Sequence, residues 1–127
     1  MTITPINADE APKASGNYAQ ATLVDNHQQL LFISGQIPVT RDGSTPTDFR
    51  SQCELVWGHI RAQLHAANMT IHNLVKVTTF LSSRKYATEN SEIRQQVLGS
   101  HTPALTVLIT GIYDENWLLE IEAIAAA

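Results

Sequence analysis

The sequence predicts an α+β fold, in which a mixed β-sheet carries two helices packed on one face. Strand-like and helix-like segments alternate in the middle of the chain, and hairpin patterns occupy both ends. The 127 residues contain no repeat and no linker-like stretch. We therefore expect one domain over residues 1–127.

A β-hairpin is predicted near the start of the chain. Two short apolar runs, 22–24 and 30–34, are joined by the polar turn "DNHQQ". A Gly-Gln-Ile-Pro break and the turn-rich segment "TRDGSTPTD" follow. These breaks separate the hairpin from the first helix.

The clearest helix follows this break. Thr45 is expected to cap it, Pro46 to take the first helical position and Asp48 to complement the helix dipole. Asn68 is a suitable residue to end it. The apolar stripe at helical spacing consists of Phe49, Cys53, Val56, Trp57, Ile60, Leu64 and Ala67.

The second half of the chain predicts three strands and one more helix. Residues 73–82 are apolar on both faces, which is typical of a strand inside a sheet. Residues 104–110 and 117–125 are predicted to form a hairpin around the polar turn "YDEN". A second helix is predicted between the strands 73–82 and 104–110. It is expected to begin at Ser82 or Ser83, to end at Gly99 and to bury Tyr86, Asn90, Ile93 and Val97.

With both helices on one face, the other face of the sheet stays apolar and exposed in a monomer, so a symmetric oligomer is predicted. The chain has 8 Lys+Arg against 12 Asp+Glu and a net charge of −4. Without a basic stripe, neither nucleic acid nor a membrane surface is an expected partner. We also expect no secretion signal, and a cytoplasmic location.

Few side chains are candidates for chemistry. Cys53 is alone and lies on the apolar stripe, and the five histidines have no ligand-like spacing, so no metal site is expected. Ser34 ends an apolar run, but "ISGQ" lacks the pattern of a nucleophile elbow. Glu120 and Glu122 are two apart and would leave the same strand face. Spacing leaves open a solvated edge or a general base for water.

Several segments together resemble the RidA family, also named YjgF or endoribonuclease L-PSP. The resemblance covers essentially the whole chain. Its segments are "APKASGNYAQA" (11–21), "LLFISGQIPV" (30–39), "NLVKVTTFL" (73–81), "HTPA" (101–104) and "LLEIEAIA" (118–125).

The resemblance implies a chorismate-mutase-like subunit and a homotrimer with small-molecule clefts between subunits. It also implies hydrolysis of enamines and imines, such as 2-aminoacrylate, to 2-keto acids and ammonia without a cofactor. By position, Glu120 would be the catalytic acid that orients the attacking water. Tyr18, Ser34 and Gly35 would line the pocket, whereas Glu122 has no counterpart role.

This chain departs from the family pattern at the pocket. Leu105 stands where deaminating members have an arginine that binds the substrate carboxylate, and Ser91 stands where an asparagine is common. Leucine offers no hydrogen-bond donor, so weak or absent activity on 2-imino acids is expected. Lys13, Arg84 and Arg94 are the cations that could substitute, and the sequence places none of them.

Three functions therefore stay open. The first is a RidA-like trimer that binds a small imine, enamine or 2-keto acid-like molecule, with reduced deaminase activity. The second is a trimer without catalysis that senses a ligand or binds a protein. The third, a ribonuclease, is disfavoured by the net charge of −4.

Overall fold

The computed structural model describes residues 1–127. Short 3-10 turns precede β4 (Ile71–Asn73) and α2 (Arg84–Tyr86). The strands and helices, in chain order, are β1 (Thr2–Ile6), β2 (Ala21–Asp25), β3 (Leu30–Gln36), α1 (Phe49–Ala66), β4 (Leu74–Leu81), α2 (Ala87–Leu98), β5 (Ala104–Ile109) and β6 (Leu119–Ala126).

Helix α1 buries the predicted stripe but begins later than predicted. Its N-cap is Asp48, whose carboxylate accepts a hydrogen bond from Ser51 N at 3.0 Å, so the expected start at Thr45 and Pro46 is wrong. The carbonyl of Pro46 instead accepts a bond from the buried Gln52 side chain, which holds this segment outside the helix. Asn68 lies just beyond the helix with a positive φ of 58°, as expected of a C-terminal stop. The buried apolar residues of α1 are Phe49, Cys53, Val56, Trp57, Ile60 and Leu64.

Replacing Asp48 by alanine is expected to lower the melting temperature by a few degrees, because Ser51 N then loses its acceptor. Asparagine at this position keeps an acceptor oxygen and serves as the control. The pKa of Asp48 is lowered by the bond from Ser51 N, so the carboxylate's contribution is present at neutral pH and lost as pH falls through the lowered pKa. Thermal melts of the three proteins in neutral and acidic buffer check this. Equal melting temperatures at neutral pH would contradict it.

The main sheet is mixed and has four strands in the order β3-β6-β4-β5. Strand β4 pairs in parallel with β5 and antiparallel with β6, so the interior position predicted for residues 73–82 is confirmed. Residues of α1 and α2 share one buried core with one face of this sheet. The predicted α+β class, with two helices on a mixed sheet, is therefore confirmed.

The hairpin predicted for residues 22–34 is wrong. Strand β2 pairs with β1 in a separate two-stranded sheet, and β3 pairs with β6 at the far end of the chain. The polar loop between β2 and β3 does not close a turn, because Gln28 N and Gln29 N both donate to the Ala127 carbonyl, at 2.7 and 2.8 Å. Strand β1 was not predicted; it is short and contains Pro5, which weakens a strand pattern.

The C-terminal hairpin is also wrong, although both of its strands form. Among the strands, β5 pairs only with β4, and β6 inserts between β3 and β4. Alternate residues of β6, from Leu119 to Ala125, are at most 3% exposed. A strand so apolar on its core face is best buried at the centre of the sheet, where both of its edges are also hydrogen-bonded.

Ser83, one of the two predicted caps, accepts a hydrogen bond from Lys85 N at 3.3 Å and caps the short turn before α2. Helix α2 itself begins at Ala87, after Tyr86, so the predicted start is too early. Asn90 and Ile93 are buried as predicted, and Gly99 ends the helix with a φ of 58°. Arg94 is buried as well, which the apolar stripe did not predict. Neither α1 nor α2 is long and apolar enough to cross a membrane.

The face of the sheet opposite the helices is uncovered within one chain. Phe32 is 70% exposed, Leu30 48% and Leu108 46%. Phe32 is paired with Ile124 of β6, which shares a strand face with Glu122 and Glu120. We call this surface the open face.

Candidate functional site

Glu120 and Glu122 leave the same face of β6, as their spacing predicted. In the register with β4, Glu120 lies opposite Phe80 and Glu122 opposite Thr78. Glu122 is exposed, whereas Glu120 is half-buried. The two carboxylates therefore share a face but differ in environment.

Glu120 is half-buried because its side chain lies directly against the backbone of Gly35. A Cβ atom added at Gly35 would be 1.8 Å from Glu120 Oε2 and 2.7 Å from Cδ. Gly35 lies where the pairing of β3 with β6 shifts register, between Ile33 and Gln36. Only glycine allows this close approach, and the approach fixes the position of the carboxylate.

Burial raises the pKa of Glu120, and the charge of Glu122 on the same face raises it further. A carboxylate with a raised pKa is a stronger base than an ordinary glutamate while it remains ionised near neutral pH. Glu120 is therefore the acid on the open face best suited to take a proton from water.

Ser34 adjoins Gly35 and is exposed, and its carbonyl accepts a bond from the Gln36 side chain at 2.9 Å. The structure thus brings together Ser34, Gly35 and Glu120. These three residues form what we call the acid half-site.

The other predicted residues, Tyr18, Ser91 and Leu105, lie around α2 and the start of β5. Leu105 pairs with the buried Val77 and packs against the core, on the helix side of the sheet. The loop that carries Tyr18 is fastened one residue before Leu105, since Ala19 bridges Ala104 and Ala19 N donates to Pro103 O at 3.2 Å. We call Tyr18, Ser91 and Leu105 the helix half-site.

Within one chain the two half-sites do not meet. Glu120 projects from the open face and Leu105 from the helix face, so the sheet separates them. The predicted pocket is therefore not formed by a single chain. No three histidine, cysteine or acidic side chains are grouped to hold a metal ion.

Arg94, a cation that the sequence could not place, lies beside Ser91 of the helix half-site. Ser91 Oγ accepts a hydrogen bond from Arg94 Nη2 at 3.2 Å, and Arg94 is only 6% exposed. Lys13 and Arg84, the other cations considered from the sequence, are exposed. The signal for Arg94 was its spacing: it follows Asn90 by one helical turn and shares its buried face.

Cys53 is fully buried, and burial raises the pKa of its thiol to about 12. A thiol with so high a pKa is not a nucleophile at neutral pH. Its assignment to the core of α1 is therefore confirmed.

Comparison with known proteins shows which family the chain resembles. Residues 8–127 match the family model described as Endoribonuclease L-PSP. Protein HMF1 of Saccharomyces cerevisiae is 32% identical over 126 residues, which are 98% of this chain and 95% of that protein. TdcF of Escherichia coli, which is named as a reactive intermediate deaminase, is 31% identical over 125 residues, 94% of each chain.

A solved structure of Escherichia coli TdcF contains bound serine. It is 30% identical to this chain, with a TM-score of 0.74, and covers 98% of both chains. The similarity thus extends over the sequence and the fold together.

Proposed function

The chain belongs to the Endoribonuclease L-PSP family, the RidA family, and from this we propose that it hydrolyses a small imine or enamine in a site formed between copies of the chain. The observation that carries the proposal is Glu120, a half-buried carboxylate held in place by its contact with Gly35. A half-buried carboxylate held in a fixed position, with a raised pKa, is suited to act as a general base.

In the proposed reaction Glu120 accepts a proton from a water molecule as the water oxygen attacks the imine carbon. A C–O bond forms and the C=N bond becomes a single bond, whose nitrogen takes up a proton. The proton that Glu120 took from water is the one that passes to this nitrogen. The proton of the new hydroxyl group then passes, through Glu120, to the same nitrogen. The C–N bond breaks as the C=O bond forms, so that a ketone and ammonia are released. No redox step occurs, and water is the only co-reactant.

A trimer is the second part of the proposal. The acid half-site and the helix half-site lie on opposite faces of one sheet, so a complete site needs the acid half-site of one copy beside the helix half-site of another. The exposed apolar surface around Phe32 supports association through the open face. The homotrimer implied by the resemblance has its clefts at such subunit boundaries.

Leu105 limits what this site can bind. Its isobutyl group cannot donate a hydrogen bond to a carboxylate, and a charged hydrogen bond of that kind contributes about 1.5–3 kcal/mol. We therefore expect slower hydrolysis of 2-iminopropionate than in a family member with arginine at this position. A net charge of −4 argues against ribonuclease activity.

The proposal is tested by a variant that shifts the Glu120 carboxylate but keeps residue 120 a glutamate. Gly35→Ala inserts a Cβ into the space of the Glu120 carboxylate, which is the flexible end of a side chain, so the fold should survive while the carboxylate shifts. We expect kcat/KM for 2-iminopropionate, generated in the assay by an amino acid oxidase, to fall by about 100-fold.

Gly58→Ala is the matched control, because a Cβ at Gly58 meets no atom within 4 Å. Its rate should equal that of the wild type. If the wild type does not accelerate imine hydrolysis at all, the proposed reaction is wrong and a trimer without catalysis, which senses a ligand or binds a protein, takes its place.

A further inference from the structure

Arg94 is a buried cation without an acidic partner. Its side chain is 6% exposed, and no carboxylate lies within 4.0 Å of it, since the ion pairs of the chain all involve Arg50. The acids of its own helix, Glu89 and Glu92, turn towards Arg50 instead. Buried guanidinium groups are normally paired, because an isolated buried charge is costly.

The hydrogen-bonding capacity of Arg94 is also largely unused. A guanidinium has five N–H donors, and within the chain Arg94 makes a bond from Nη2 to Ser91 Oγ, at 3.2 Å. Its Nε is buried with no partner. A buried donor without an acceptor calls for an explanation, because native structures contain few of them. A structural arginine would be expected to donate to backbone carbonyls of the loop it supports, and Arg94 does not.

The neighbours of Arg94 belong to the helix half-site. A Cβ at Gly16 would lie 3.8 Å from the Tyr18 ring and 4.0 Å from Arg94 Nη2, so Gly16, Tyr18 and Arg94 converge. The Tyr18 hydroxyl lies 3.4 Å from Ser15 Oγ. The same loop is fastened to Ala104, beside Leu105. The unused donors therefore lie in the half-site where Leu105 offers none.

We propose that Arg94 binds the carboxylate of a small 2-oxo or 2-imino acid, through Nε and a terminal nitrogen, in the helix half-site. The inference rests on the proposed function, since it names the anion contact of the same site. A planar guanidinium presents two parallel N–H groups that fit a carboxylate. A singly charged cation matches a monoanionic carboxylate better than a phosphate dianion, which usually requires further cations. Arg94 on α2 thus supplies the cation that is missing at position 105 on β5, where this chain has leucine.

Pyruvate, the keto acid formed from 2-iminopropionate, is the probe. We expect calorimetric titration of the full-length protein to show binding to the wild type. Affinity should fall about 10- to 100-fold in Arg94→Gln, with a smaller loss in Arg94→Lys, which keeps the charge but loses the fork. Arg84→Gln removes an exposed cation and should leave the affinity within about twofold.

A second measurement does not depend on the folding of the variants. In the ¹⁵N-labelled wild type, pyruvate should shift the Nε–H resonance of Arg94 and leave that of Arg84 in place. No pyruvate binding by the wild type, unchanged affinity in Arg94→Gln, or an unshifted Arg94 resonance would each overturn the inference. Displacement of pyruvate by lower concentrations of inorganic phosphate would overturn the assignment to a carboxylate.

Glu120→Gln separates this inference from the proposed function. If that variant binds pyruvate like the wild type but neither protein accelerates imine hydrolysis, the proposed function fails and the Arg94 inference stands. If Arg94→Gln binds pyruvate normally while hydrolysis depends on Glu120, the inference fails and the proposed function stands.

Discussion

Glu120→Gln is expected to lower kcat/KM for 2-iminopropionate by about 10²- to 10⁴-fold, the range lost when a general base is removed. Glutamine fills the same space against Gly35 but cannot accept a proton from water. Glu122→Gln is the control, because it removes a carboxylate from the same strand face without touching the proposed water. Steady-state assays of both variants and the wild type at neutral pH measure the effect.

The pH dependence of the hydrolysis rate is a second measurement on Glu120 and Glu122. The pKa of Glu120 is raised first by burial and then by Glu122, and a general base works only when ionised. The rate should therefore fall as pH drops through this raised pKa. Glu122→Gln removes the repulsion, so its acidic limb should move to lower pH. A Glu120→Gln variant with full activity would show that Glu120 is not the base. An unchanged acidic limb in Glu122→Gln would show that Glu122 does not raise the pKa of the base.

If the chain forms the proposed trimer, Phe32→Asp is expected to convert it to monomers and to abolish the proposed hydrolysis. Phe32 is 70% exposed on the open face, on the edge strand β3 and opposite Ile124. Assembly would bury this added charge in the interface, and the cost of removing a carboxylate from water opposes such burial. Light scattering should show a fall from three times the chain mass to the 14.0 kDa of one chain.

Activity should fall together with assembly, because the proposed site takes its two half-sites from different copies. Tyr113→Asp, which adds the same charge at a loop residue that is 94% exposed, should remain trimeric and active. A trimeric Phe32→Asp variant would show that the open face is not the interface. A fully active monomer would show that one chain holds a complete site.

The candidate site was predictable where it depended on local spacing. Two residues along a strand return to the same face, so the sequence alone placed Glu120 beside Glu122. The difference between the two acids depends on Gly35, which is distant in the chain and reaches Glu120 only because β3 pairs with β6. Arg94 was named as a possible cation from the sequence, but its burial depends on the loop that folds over α2.

The sequence by itself determined the elements other than β1, their α+β class, the buried stripe of α1 and the interior position of β4, because each follows from side-chain periodicity within one segment. Tertiary structure alone decided which strands pair. Strand β2 joins β1, β6 separates β3 from β4, and both predicted hairpins are lost. Backbone hydrogen bonds are nearly the same for any partner strand, so partner choice is set by burial over the whole sheet. The tertiary packing also leaves the buried Arg94 without a carboxylate partner and puts Glu120 against Gly35.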